Sequence, residues 1–127
     1  MTPHTGQHKF DWEHYIKLSE GLVLGADESQ WRCSISRAYY GVFCVARNKV
    51  GFKNKKHKRG VHSKVINRLK SKKNTMNMGL ILEELKTFRE QADYLEHEKI
   101  TQAVAQDKIN KARILFNDIL QFYGRNY

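Results

Sequence analysis

Apolar residues recur at every third or fourth position along most of this chain, a period typical of helices that bury one face. The pattern predicts five helices and no strand. Their ranges are Phe10 to Leu24, Glu28 to Val50, His62 to Lys72, Met78 to His97 and Thr101 to Tyr123. Thr101 is the predicted N-cap of the last helix, because its hydroxyl can accept a hydrogen bond from the first turn.

This order of elements predicts an all-α fold, an up-and-down antiparallel bundle of four long helices plus one short helix. The 127 residues suffice for one domain with a core, residues 1–127. Residues 1–8 are expected to be a frayed tail and residues 51–61 a basic loop. The positions predicted to face inward are Tyr15, Leu18, Leu22, Trp31, Ile35, Ala38, Tyr39, Val42, Phe43, Ala46, Val65, Ile66, Leu69, Ile81, Leu85, Phe88, Ala92, Leu95, Ile109, Ala112, Phe116, Ile119 and Tyr123.

The second helix carries another set of residues on the side opposite its apolar face. We call this set the arginine–tyrosine stripe: Cys33, Arg37, Tyr40, Cys44 and Arg47. Guanidinium and phenol groups side by side can stack on a nucleobase, hold a phosphate or receive another helix. Equally, the arginines can be solvated and the tyrosine can cover a neighbouring helix. The two thiols lie eleven positions apart, too distant to bridge, and are expected to be reduced.

Positive charge is concentrated in one segment. Residues 53–73 contain ten Lys or Arg and no acid, whereas the remaining sequence has thirteen of each sign, so the whole excess of +10 lies there. Clustered cations release counterions from a nucleic-acid backbone, which favours a nucleic acid over a membrane surface as the partner. The candidate nucleic-acid-binding residues are Lys53, Lys55, Lys56, Lys58, Arg59, Lys64 and Arg68. A solvated loop is the other interpretation of such a run.

Several classes of function have no support in the sequence. There is no phosphate-binding loop, no HExxH and no paired CxxC, so no cofactor and no metal are predicted. The apolar stretches are interrupted by charge, which argues against a membrane span, and the polar start lacks the apolar segment of a signal peptide. The expected location is the cytosol.

Near the end of the fourth predicted helix, Arg89, Asp93 and His97 recur every fourth residue, with Tyr94 beside them. A carboxylate can fix the tautomer of an imidazole, and a guanidinium can hold a phosphate with two hydrogen bonds. These are groups that a metal-independent ribonuclease can use. They can also be an intrahelical ion pair, worth about 0.3 to 0.5 kcal/mol, and a histidine placed favourably near a helix C-terminus.

Three motifs together resemble the HEPN superfamily of small prokaryotic helical proteins. They are Ser36-Arg-Ala-Tyr-Tyr-Gly-Val-Phe43, then His62-Ser63 after the basic loop, then Arg89-x-x-Ala-Asp-Tyr94. The resemblance is to the branch with an Arg-Ala-Tyr-Tyr helix and an Arg-x-x-Ala-Asp-Tyr helix, and it covers the chain from about Glu28 onward. It implies a helical bundle that is commonly a homodimer.

Many members of this superfamily are metal-independent ribonucleases of toxin–antitoxin or defence systems, and others act with nucleotidyltransferase partners. The ribonucleases carry an Arg and a His closer in sequence than Arg89 and His97, which have seven residues between them here. Our first hypothesis is an RNA-binding HEPN protein with a catalytic set of Arg89, Asp93 and His97 or His62. The second is a non-enzymatic adaptor that dimerises through Arg37, Tyr40 and Arg47 and binds a nucleotidyltransferase or an antitoxin.

Overall fold

The computed structural model describes residues 9–52 and 60–125, and all regular structure within these ranges is helical. The five helices are α1 (Glu13–Leu22), α2 (Glu28–Lys49), α3 (Val61–Lys70), α4 (Met76–Tyr94) and α5 (Gln102–Tyr123). They pack together around one core, so the predicted all-α class and five-helix order are confirmed. None of these helices in the described ranges has the length and apolar character needed to cross a bilayer.

α2 lies at the centre and contacts each of the other four helices. A capping box fixes its start, because Asp27 accepts a hydrogen bond from the Ser29 amide and Gln30 accepts one from the Asp27 amide. Its predicted inner face is confirmed. Ile35, Ala38, Tyr39, Val42, Phe43 and Ala46 are buried, and Trp31 packs against the core.

The arginine–tyrosine stripe is not a continuous outer surface. Cys44 is only 6% exposed and belongs to the core, whereas Cys33 is exposed. Burial raises the pKa of the Cys44 thiol to about 11, so it stays protonated at neutral pH. The prediction that Cys44 faces outward is wrong, because a helix surrounded by four others is covered on more than one side.

α1 is shorter than predicted and is rotated relative to the predicted face. It has ten residues, like α3, so two helices are short and three have 19 to 22 residues. Ile16 and Ser19 are its buried residues, whereas Leu18, predicted to face inward, is exposed. The Ser19 hydroxyl donates to the Ile16 carbonyl, 2.7 Å away, which satisfies a polar group inside the core.

An ion-pair cluster ties α1 to α5. The Arg113 guanidinium donates to both carboxylate oxygens of Glu20 and to Glu13, each at 2.9 Å. Hydrogen bonding to Arg113 lowers the pKa of the Glu20 carboxyl. The cluster holds α1, and with it Tyr15, against the rest of the bundle.

α4 begins at Met76 and ends at Tyr94, so it is displaced from the predicted range at both ends. Its predicted inner residues Leu85 and Ala92 are buried, whereas Leu95 lies beyond the helix and is exposed. In α5 the predicted face is confirmed: Ile109, Ala112, Phe116 and Ile119 are buried, and Tyr123 packs against the core. Thr101 is its N-cap and accepts a hydrogen bond from the Val104 amide.

α3 packs closely on α4 at Gly79. A methyl group at that position would lie 3.1 Å from the Ile66 carbonyl oxygen and 3.0 Å from the Lys70 nitrogen, which is backbone of α3. A larger residue would therefore push the two helices apart. The close approach fixes α3, whose predicted inner residues Val65, Ile66 and Leu69 are buried, and so fixes His62 in its first turn.

Candidate functional site

Arg89 of α4 is the centre of the candidate site. Arg89 is only 7% exposed. Its guanidinium carbon lies over three tyrosine rings, 5.2 Å from the centroid of Tyr40, 5.4 Å from that of Tyr39 and 5.9 Å from that of Tyr94. Two of these rings come from α2 and one from the last residue of α4. The electron-rich faces partly offset the cost of removing the cation from water.

The charge of Arg89 has few direct partners. Its nearest carboxylate is that of Asp93, at 3.7 Å from Nη1, and its buried Nε has no hydrogen-bond partner among the described residues. The same Asp93 oxygen accepts a hydrogen bond of 3.2 Å from the Ser36 hydroxyl. A buried guanidinium whose one carboxylate contact is long is costly by itself, and an anion that reached its Nη atoms would offset that cost.

Tyr40 lies between two guanidinium groups. Arg89 is on one side, and the Arg37 carbon lies 5.5 Å from the Tyr40 centroid and 5.1 Å from that of Tyr15 on α1. Arg37 also donates to the Ser36 hydroxyl, which in turn donates to Asp93. The structure thus brings together Arg37, Tyr40, Arg89, Asp93 and Tyr94, which the sequence placed on two separate helices.

His62 joins this cluster from the first turn of α3. Its Nδ1 is 2.7 Å from the Tyr39 hydroxyl oxygen, and its ring stacks on Phe43 with centroids 4.0 Å apart. Burial, then the charges of Arg89 and Lys86, lower the pKa of His62 to about 4. The imidazole is therefore neutral at physiological pH.

The Tyr39 hydroxyl remains protonated, because burial raises the pKa of this phenol well above its usual range. It can donate to Nδ1 of His62, and in that arrangement the single imidazole proton is on Nε2. In the other tautomer Nδ1–H donates to the Tyr39 oxygen, and Nε2 is free to accept a proton. Sequence reasoning assigned Tyr39 to the core alone; the available signal was a hydroxyl at a buried position, which needs a partner.

His97 does not join the cluster. α4 ends at Tyr94, so the four-residue repeat stops at Asp93, and among the described residues no hydrogen bond or ion pair joins His97 to it. The helix ends there because Arg32 of α2 donates to the carbonyls of Gln91, Ala92, Leu95 and Glu98. Two of these carbonyls also accept from the backbone, that of Gln91 from the Leu95 amide and that of Leu95 from the Glu98 amide, so Arg32 adds a charged donor where the regular helical hydrogen bonds end.

Five of the seven candidate nucleic-acid-binding residues lie outside the described residues: Lys53, Lys55, Lys56, Lys58 and Arg59. Lys64 is exposed on α3. Arg68 donates to the Val50 carbonyl at the end of α2 and lies over the Phe52 ring. Arg47 donates to Asn48, and its charge contributes to lowering the pKa of His62. The basic segment leads directly through Gly60 into α3, two residues before His62.

A cleft of about 430 Å³ adjoins the cluster beyond Tyr94. It lies between the start of α2 and the end of α4. Its lining residues are Glu28, Ser29, Arg32, Ala92, Asp93, Tyr94, Leu95 and Glu96. Three of these are acidic, which sets this cleft apart from the basic environment around His62. Within the described part of the chain, no three His, Cys, Asp or Glu side chains converge as they would around a metal ion.

Comparison with family models, with curated proteins and with solved structures found no match for this chain.

Proposed function

We propose that this chain is an RNA-binding protein of the HEPN type and that Arg89 contacts the phosphate backbone. The observation that carries the proposal is the mostly buried Arg89 guanidinium, whose one ion pair is long, 3.7 Å from Nη1 to Asp93. A phosphate accepts several hydrogen bonds, and its negative charge balances the positive charge of the Arg89 guanidinium. The three HEPN-like motifs lie on α2, at the start of α3 and on α4, in an up-and-down arrangement that we propose for the bundle as a whole.

The charge around the cluster supports an anionic ligand. The positive charges of Arg89, Lys86 and Arg47 contribute to lowering the pKa of His62, and Glu90, which pairs with Lys86 at 3.0 Å, opposes them. His62 itself lies within residues 53–73, which contain ten Lys or Arg and no acid. Such a surface attracts a polyanion and gives strongly salt-dependent binding.

The first test is the RNA affinity of Arg89→Met, measured by fluorescence anisotropy in moderate salt. We expect binding to weaken about tenfold, equivalent to about 1.4 kcal/mol, because a charged phosphate contact is lost. Lys17→Ala removes one exposed positive charge from α1, two residues from Tyr15, and is expected to change affinity less than about twofold.

Thermal unfolding of each variant shows whether it is folded. If Arg89→Met does not fold, Arg37→Gln replaces it, because Arg37 is partly exposed and contacts the same Tyr40 ring. Equal RNA affinity of the wild type and a folded variant of this pair would contradict the proposal.

The catalytic form of this proposal is a metal-independent endoribonuclease. Arg89 would stabilise the charge of the phosphorane. His62, rather than His97, shares the Tyr39 side chain with Arg89 and would accept the ribose 2′-hydroxyl proton at Nε2, in the tautomer whose Nδ1–H donates to the Tyr39 oxygen.

The 2′-oxygen would attack phosphorus, the bond to the 5′-oxygen would break, and that oxygen would take up the proton as the cyclic phosphate forms. Asp93 then holds Arg89 and Ser36 instead of orienting a histidine. The required 2′-hydroxyl makes RNA the substrate and leaves DNA intact.

The catalytic form is tested by incubating RNA with the purified protein in EDTA. We expect cleavage by the wild type and at least a hundredfold slower cleavage by His62→Gln, with His97→Gln as the matched control that retains activity. Full-length RNA after prolonged incubation at high protein concentration would end the catalytic form and leave RNA binding. If Arg89→Met retains both RNA binding and dimerisation while Tyr40→Ala is monomeric, the results favour the adaptor hypothesis.

A further inference from the structure

Aromatic rings and guanidinium groups contact one another in a row that crosses three helices. The series is Phe10, Tyr15, Arg37, Tyr40, Arg89 and Tyr94, and we call it the ladder. Successive members lie 5.1 to 5.9 Å apart, measured between ring centroids or from a guanidinium carbon to a centroid. It runs from the residues before α1, across α2, to the last residue of α4.

The two ends of the ladder are exposed. Phe10 is 42% exposed and Tyr94 is 68% exposed, whereas the middle members are partly buried or buried. Single exposed apolar side chains are common on protein surfaces, so the relevant feature is that these two rings end a continuous row of aromatic and guanidinium groups. Next to Phe10 stand the rings of Trp12 and Tyr15, at 4.8 and 5.3 Å, so this end is a small aromatic platform.

The surroundings limit the direction in which an anionic ligand can extend. Beyond Tyr94 lies the cleft lined by Glu28, Asp93 and Glu96 and by Arg32, which pairs with Glu28, so its net negative charge disfavours phosphate. Toward α1 the next cation is Arg37, which Tyr15 and Tyr40 hold between them. A strand that contacts Arg89 therefore continues toward Arg37 and Phe10.

We infer that the ladder is the path of a single strand of RNA, with bases stacked on Tyr94 and Phe10 and phosphates at Arg89 and Arg37. This inference rests on the proposed function and extends its site from α2 and α4 to α1. Every base has a face that can stack on an aromatic ring, so the binding is expected to tolerate different sequences. Paired bases have no free faces, so the ladder selects single strands over duplex.

The test uses Trp12, which touches Phe10, as a reporter of the far end of the path. Trp31→Phe leaves it as the only tryptophan, since the chain has two. The ligand is an unlabelled oligouridine of twelve nucleotides. We expect its titration to change Trp12 fluorescence, with the same midpoint that competition against a labelled RNA gives. A duplex of equal length is expected to leave the Trp12 signal unchanged at the same concentrations.

The substitutions Phe10→Ala and Tyr94→Ala are each expected to weaken single-strand binding about fivefold or more. Both side chains are exposed, so the fold should tolerate their loss. Phe122→Ala is the matched control: this ring is 49% exposed at the end of α5 and contacts Tyr123, and its loss is expected to change affinity less than twofold.

Unchanged affinity in both Phe10→Ala and Tyr94→Ala would overturn the ladder. If Arg89→Met still loses affinity in that case, the proposed function stands and only the path is wrong; if no variant and no wild type binds RNA, both fall. Sedimentation measures whether the protein is a dimer. If the dimer dissociates in Phe10→Ala and Tyr94→Ala while RNA affinity is unchanged, the ladder is a contact between two copies and the inference is overturned.

Discussion

At the scale of single residues, the pairing of Tyr39 with His62 decides what chemistry the site can offer. A phenol and an imidazole joined at 2.7 Å inside the bundle are both neutral at physiological pH. The site is therefore positive because of its arginines and lysines and not because of a protonated histidine. Anion binding is expected to persist at pH 7 to 8, where a histidine-based site would lose its charge.

Stability should fall between pH 7 and pH 5 because of His62. Its pKa is about 4 in the folded protein and near 6.5 when unfolded, so the unfolded chain binds more protons in this window and stability rises with pH. Urea unfolding at pH 7 and pH 5 measures the effect. His62→Gln should have a flatter profile than the wild type, and identical profiles would show that His62 is not buried as described.

Individual site residues were predictable to the extent that their chemistry was visible in the sequence. Arg37, Tyr40, Arg89 and Asp93 stood out as polar or cationic residues in apolar helices, and the structure places them in contact through Ser36. The choice between His62 and His97 was not predictable, because it depends on where α4 ends. That end is set by a side chain from another helix.

At the scale of helices, Arg32 is the group that terminates α4. It pairs with Glu28 at 3.1 Å, and Glu28 also accepts from the Ile100 amide, so the start of α2 holds the whole connection between α4 and α5. A guanidinium can serve several carbonyls at once because its donors point in fixed directions. Local periodicity carries no information about this contact, and the predicted α4 therefore ran three residues too far.

Removal of this contact should destabilise the protein. We expect Arg32→Ala to lower the free energy of unfolding by about 2 kcal/mol, because several carbonyls lose a charged donor. Lys17→Ala, on an exposed face of α1, is the control and should stay within about 0.5 kcal/mol of the wild type. Urea denaturation measures both, and equal midpoints would show that solvent replaces Arg32 at no cost.

At the scale of the whole molecule, the order of the helices follows from periodicity, whereas their arrangement does not. Apolar spacing predicted α2, α3 and α5 with their buried faces, since each repeats a simple pattern. It missed the rotation of α1 and the burial of Cys44, because both depend on α2 lying among four neighbours. The site has the same origin: it forms where α1, α2, α3 and α4 meet.

The most direct test of the account is the salt dependence of RNA affinity for the wild type and Arg89→Met. Each phosphate contact on a single strand contributes about 0.7 to the slope of log affinity against log salt concentration. We predict a slope that is smaller by about that amount in Arg89→Met and unchanged in Lys17→Ala. Equal slopes in the wild type and Arg89→Met would show that Arg89 touches no phosphate and would contradict the central claim.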